Sequence, residues 1–261
     1  MDLLRTESER ITTLQSPPAY QLATALWSKI VSGLLSASLE ADTTEDLLTR
    51  YLNHYDDLRY HFLREAPAAC TSSTDKAVTA ETLLSILEGI NSMPSQTDHI
   101  NRFWAASIDL VKKPTTRPNK KRKTNDGSTG IFDSSDEEEV LHSTNKSRTP
   151  DLLSVSAHKR AFAAAWMACL PLLTREDQLK RVLAIVHQSI LPHLPNPAML
   201  LDFLVDCCSH GGTVALLALN GLFTLMVEHN LLVLLLTSEL CSVLIEDPTG
   251  TIRAFISSCM G

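Results

Sequence analysis

Cys207, Cys208 and His210 stand within four positions of one another, with Asp202 and Asp206 one helical turn apart just before them. Thiolate, imidazole and carboxylate are the ligand set of a zinc site and the raw material of a Cys-His nucleophile. The spacing argues against both. Adjacent helical residues point about 100° apart, the chain has no CxxC pair, and no fourth ligand stands out. The six cysteines, at 70, 169, 207, 208, 241 and 259, read instead as small buried packing residues. No GxSxG, Gly-rich phosphate loop or paired-carboxylate motif is present. No catalytic residue, metal or cofactor is therefore expected, and a hydrolase or metal enzyme built from the Cys/His/Asp set is the weaker alternative.

Other residues carry charge rather than reactivity. PNKKRK, residues 118–123, clusters Lys120, Lys121, Arg122 and Lys123 in a polar stretch, a pattern that fits the acidic groove of a nuclear-import receptor. The same four cations would make a weak, salt-sensitive contact with RNA phosphates, without sequence readout. FDSSDEEE places Ser134 and Ser135 directly before four acidic residues, the context an acidophilic kinase requires. Each phosphate would add about −1.5 to −2 charges. The bland reading of both runs is a solvated charge stretch.

The totals frame these signals. A chain of 261 residues with 44% hydrophobic and 20% charged residues has room for a substantial core, and only nine glycines and 5% aromatics disfavour an all-β fold. The net charge of −7 argues against broad attachment to nucleic acid. No basic start followed by an apolar run opens the chain, so secretion is not expected and the cysteines should be thiols.

Helical periodicity organises nearly everything else. Ser16-Pro17 offers a cap for a first helix with Ala23, Leu26, Trp27, Ile30, Val31 and Leu34 on one face. Thr43 with Asp46 resembles a capping box for a helix running through Leu47, Tyr51, Tyr55, Leu58 and Phe62 until Pro67. A shorter helix is expected over residues 80–90, and another carries Phe103, Trp104, Ile108 and Val111. Residues 112–150 lose the pattern and read as a disordered charged linker. It divides an N-terminal helical region, residues 1–111, from a C-terminal one, residues 151–261. There, Thr174 with Asp177 caps a helix stopped by Pro192, and Asn196-Pro197 starts another. Gly211-Gly212 supplies positive φ at a helix end, with Thr213 as the next cap. Short connections between amphipathic helices predict an all-α, HEAT/armadillo-like solenoid of antiparallel pairs.

The most apolar stretch, residues 211–227, has no charge, and the run over 212–236 would make a membrane anchor only by burying Glu228. Shelter by neighbouring helices is the preferred reading, with a membrane-anchored protein as the alternative. Asn220 and Gly221 lie mid-helix, where a small residue permits close approach; packing and partner contact both remain open for them. For Asp202 and Asp206 the two readings are acceptors for a partner's Arg or Lys, and the solvent edge of their helix.

HQSILPHLPNPAMLLDFLVDCCSHGGTVALLALNGLFTLM, residues 187–226, resembles the conserved domain of the CCAAT-box-binding-factor family of nucleolar proteins. The likeness rests on Pro192, Pro197, the LLDFL run with Leu201, Asp202 and Phe203, on Gly211 and Gly212, and on LALNGLF with Leu217, Asn220, Gly221 and Phe223. FAAAWMACLPLL and YLNHYDDLRYHFLRE are similar more loosely. The resemblance implies a helical-repeat scaffold of the nucleolus without catalytic residues. It also implies pairing with nucleolar protein 14 and other pre-40S factors in 18S rRNA maturation and pre-subunit export. After Asn230 the family pattern of a Tyr-Pro pair and further helices gives way to LLVLLLTSELCSVLIEDPTG, which implies a shortened or altered C-terminal part.

Overall fold

A computed structural model describes residues 1–14, 20–105 and 151–229. Every regular element in them is helical. The chain opens with α1, Asp2–Leu14, a helix that the periodicity did not announce. Its buried stripe is Leu4, Ser8 and Thr12, so a hydrophobicity pattern has one large apolar residue to find. Ser8 makes the polar stripe fit: its hydroxyl donates to the Leu4 carbonyl at 2.7 Å and accepts from the Ala23 N–H at 3.0 Å. That bond ties α1 to the start of α2, Thr24–Ser36, whose Trp27, Val31 and Leu35 enter the core. The Ser16-Pro17 cap lies outside the described residues.

The single long helix expected through residues 43–67 is two helices. The first, α3, Ala41–Leu47, follows Glu40, so Thr43 and Asp46 lie inside it and form no capping box. A π-turn, Leu48–Leu52, widens the coil and leads into a break at Asn53 to Tyr55. The second, α4, Asp56–Ser72, runs straight past Pro67, which sits within it rather than ending it. Then α5, Lys76–Gly89, begins earlier than expected because Asp75 accepts from the N–H groups of Ala77 and Val78 at 3.1 and 3.2 Å. Residues 101–105 are not helical, and Ile108 and Val111 lie outside the described residues, as does the whole of 112–150.

The chain is described again from Asp151. A helix α6, Val155–Cys169, is capped by Ser154. It lies along α4 in the most extensive helix pairing among the described residues. Next, α7, Glu176–Ile185, takes its N-terminal bond from Gln178, whose side-chain oxygen accepts the Arg175 N–H at 3.4 Å, so the cap falls at 175 and 178 rather than at Thr174 and Asp177. The coil then widens into a second π-turn, Val186–Ile190, and Pro192 belongs to the short 3₁₀ turn after it. Asn196 caps a 3₁₀ turn through Pro197, and α8, Leu201–Ser209, follows. Last comes α9, Gly212–His229. Thr213 lies inside its first turn.

Gly211 and Gly212 hold φ of 72° and 58°. A side chain at either would meet nothing within 4 Å, so backbone conformation and not space demands glycine at this corner. Gly221 is the converse case. A Cβ there would come within 3.1 Å of a Leu204 methyl, and its absence lets α9 lie close on α8.

One continuous hydrophobic core runs from Leu4 in α1 to Leu225 in α9. It spans both helical segments. A polar clamp reinforces the junction between α5 and α7: Arg181 donates to Glu81 and Glu88 at 2.5 and 2.6 Å and to Ser85 at 3.2 Å, while Gln178 donates to Glu81 at 2.7 Å. Among the described residues no helix is long and apolar enough to cross a membrane, and residues 230–236 of the apolar run lie outside them.

Candidate partner-binding surface

Two constructions stand out among the described residues, one buried and polar and one open. The buried one is carried by YDDLRYH, residues 55–61, at the start of α4. Asp57 has no solvent exposure. Its Oδ1 accepts the N–H groups of Leu58 at 2.8 Å and Trp104 at 3.0 Å, and its Oδ2 those of Trp104 at 2.9 Å and Ala105 at 3.1 Å. Tyr20 adds its hydroxyl at 3.1 Å. Asp56 accepts the N–H groups of Asn101 and Arg102 at 2.9 and 3.0 Å and is paired with Arg59. Arg59 also donates to the Leu52 carbonyl at 3.2 Å and to Ser92 at 2.8 Å. Asn53 completes the stitching through the Gly89 carbonyl and the Asn91 N–H, at 2.8 and 3.2 Å.

These bonds satisfy backbone groups of residues 89–105 that form no helix of their own beyond one 3₁₀ turn. Burial raises the Asp57 carboxyl above the ordinary range, against the pull of its hydrogen bonds, and lowers the Arg59 guanidinium. Next to them His61 is pushed down to about 3, chiefly by burial, and His158 is lowered for the same reason while its Nε2 contacts the Leu152 carbonyl at 2.8 Å. Sealed from water and bonded to backbone, this set anchors a strap and offers no opening for a substrate. The signal for it was in the sequence: two acids and an arginine at core positions of an otherwise apolar stripe.

The open construction is a groove of about 560 Å³ between the C-terminal end of α6 and the outer face of α8. Leu170, Leu173 and Leu179 form its floor, Met167 and Phe203 are half-buried in its walls, and Met199 is 43% exposed at its edge. Asp202 and Asp206 line the α8 side, both exposed, and neither forms an ion pair among the described residues. At Thr174, Leu179 and His210 the groove continues into a second hollow of about 260 Å³ that reaches Glu176 and the Gly211-Gly212 corner. The α8 helix is built for this division. Leu204, Cys207 and Cys208 face the core, so residues 202, 203 and 206 must face outward.

The structure thus brings Asp202 and Phe203 together on one wall, with Gly211 and Gly212 at the far end. Leu201 is half-buried at the head of α8, and Pro192 and Pro197 sit in the turns before it. Leu217 and Asn220 are half-buried on α9, while Phe223 is 39% and Val227 63% exposed. Residues 216, 220, 223 and 227 form one stripe along that helix. Lys120, Lys121, Arg122, Lys123, Ser134 and Ser135 lie outside the described residues. Cys207 and Cys208 are buried, burial pushes the Cys207 thiol up to about 12, and the exposed His210 contacts its own helix through the Asp206 carbonyl at 3.0 Å. Among the described residues no cluster of His, Cys, Asp and Glu is arranged to hold a metal ion.

Over the described residues the fold is all-helical, and one of its open features is a surface groove with an apolar bottom and two carboxylates on one wall. No family model matches the chain. It is 30% identical over 220 residues to the nucleolar complex protein 4 homolog of Mus musculus, an alignment covering 81% of this chain and 35% of that one. A 74-residue stretch is 47% identical to nucleolar complex protein 4 homolog A of Xenopus laevis, 28% of this chain and 14% of the relative. The Arabidopsis thaliana protein NUCLEOLAR COMPLEX ASSOCIATED 4 is 34% identical over 132 residues, half of this chain and 19% of its own. The chain is thus similar to nucleolar complex protein 4 homologues over four-fifths of its own length. It spans about a third of the length of the curated relatives it matches.

Proposed function

We propose that the chain is a non-enzymatic nucleolar scaffold in small (40S) ribosomal subunit biogenesis, serving 18S rRNA maturation and pre-subunit export by binding nucleolar protein 14. The observation that carries this reading is the similarity to nucleolar complex protein 4 homologues over four-fifths of the chain. The structure supports the mode of action. Its buried polar groups anchor backbone and join helices, and its open groove sets the exposed Met199 and half-buried Phe203 beside two exposed carboxylates, a surface suited to another protein. In the finer form of the proposal, successive helix pairs stack as a solenoid. The lateral packing of α2 on α4, α4 on α6, α5 on α7 and α7 on α9 fits that arrangement.

Lys120, Lys121, Arg122 and Lys123 serve as the nuclear-import signal in this proposal, and Ser134 and Ser135 as phosphorylation sites whose added charge opposes that basic run. Contact with pre-rRNA is confined to a weak phosphate contact by the same cations. The test is co-expression of the chain with nucleolar protein 14, followed by affinity purification through a tag on the chain. Co-purification in stable proportion supports the reading. Clean recovery of the folded chain without it refutes the partner assignment.

A further inference from the structure

We infer that the groove between α6 and α8 is a docking site for a basic amphipathic helix of a partner protein, with Asp202 and Asp206 as the acceptors for its lysines or arginines. The inference rests on the scaffold reading and names the surface and the chemistry that reading leaves open.

Charge and shape select the occupant. Leu170, Leu173 and Leu179 are core residues that form the bottom of the groove, and the apolar surface offered to a partner comes from the exposed Met199 and the half-buried Met167 and Phe203, the two methionines adapting to its shape. Asp202 and Asp206 stand one helical turn apart on the same wall as Phe203. Two carboxylates at that spacing, beside an apolar floor, match cations spaced one turn apart beside an apolar stripe, which is the face of an amphipathic basic helix. Among the described residues neither acid has an ion-pair partner, and Arg175 and Lys180, each next in sequence to a groove residue, pair with Asp177 at 3.3 Å and Glu176 at 2.7 Å. An acidic partner would meet unpaired like charge at this wall, and a neutral one would leave both carboxylates unused.

The experiment uses the purified full chain and two fluorescein-labelled designed helical peptides that share one apolar stripe. One has lysines four residues apart along the edge of the stripe, the other glutamates at the same positions. Fluorescence anisotropy should show the lysine peptide binding at micromolar concentration and at least about tenfold more tightly than the glutamate peptide. The double variant Asp202→Asn/Asp206→Asn changes two exposed side chains and keeps the fold, as circular dichroism will verify. It should weaken the lysine peptide about fivefold to tenfold and abolish most of its salt dependence. Met199→Ala should weaken both peptides. No binding of the lysine peptide at about 100 μM, equal affinity for the two peptides, or indifference to the double variant overturns the assignment. So does a dimer of the chain that the double variant dissolves, which would seat a second copy in the groove. Retention of nucleolar protein 14 alongside failure of the peptides would remove this groove and leave the scaffold reading standing. The reverse pattern would do the opposite.

Discussion

Asp57 is the residue whose loss the structure prices most clearly. In Asp57→Ala the N–H groups of Leu58, Trp104 and Ala105 and the Tyr20 hydroxyl lose their acceptor in a site with no solvent access. Each buried donor left unmade costs roughly 1–3 kcal/mol. Relaxation of residues 101–105 toward water recovers part of this, so the net loss should be about 3–5 kcal/mol. Asp57→Asn separates charge from geometry. It keeps one oxygen for Leu58 and Trp104 but turns an NH₂ group toward Ala105, while relieving the desolvated charge that raises this carboxyl. Its cost should be smaller, about 1–2 kcal/mol. Urea unfolding followed by tryptophan fluorescence measures both, and limited proteolysis should show cleavage near residue 104 in the alanine variant first. An alanine variant within about 1 kcal/mol of the parent, or an asparagine variant as damaging as alanine, would show that the strap is held by something else.

The other expectations concern the junction, the corner and the buried histidines. Arg181→Met removes the clamp between α5 and α7; because that side chain is 39% exposed, the loss should be only about 1–2 kcal/mol, read by urea denaturation. Gly211→Ala forces a Cβ into φ of 72° and should cost about 1 kcal/mol in thermal unfolding although the space around it is empty. His61 has a folded-state pKa of about 3, below its ordinary 6.5, so the unfolded chain takes up the proton first. Its contribution is complete above about pH 6.5 and is lost as the pH falls toward 3, reaching roughly 2 kcal/mol by pH 5, with His158 acting in the same direction. His61→Phe should reduce the slope of unfolding free energy against pH in that window by about one proton; an unchanged slope contradicts the assignment.

Helical class, and the helices around Trp27, Leu84, Phe162, Leu183 and Leu204, were readable because each has large apolar residues recurring at helical spacing. What escaped shows where that signal fails. The first helix, α1, buries Leu4, Ser8 and Thr12, and two of those three count as polar in any pattern, although Ser8 is bonded on both sides. The break at Asn53 to Tyr55 was hidden because the apolar stripe continues across it; the bonds from Asn53 to residues 89 and 91 that hold it are tertiary. Pro67 was read as a stop, yet the packing of α4 on α6 carries the helix through it. In the groove, Asp202 and Asp206 were visible as a pair, but their company was not. Met167, Leu170 and Leu173 are some 30 residues away in the chain and share the groove with that wall only in the folded protein. The anchoring acids at 56 and 57 were passed over because a stripe analysis reads charge as surface.

The central claim is that this chain works in making the small ribosomal subunit. Its most direct test is depletion of the protein in its own cells, with ribosomal subunits resolved on a sucrose gradient and the mature rRNAs quantified. The account predicts that free 40S subunits and 18S rRNA fall while the large-subunit rRNAs hold steady. An unchanged ratio of small to large subunits, or a loss confined to the large one, would contradict it.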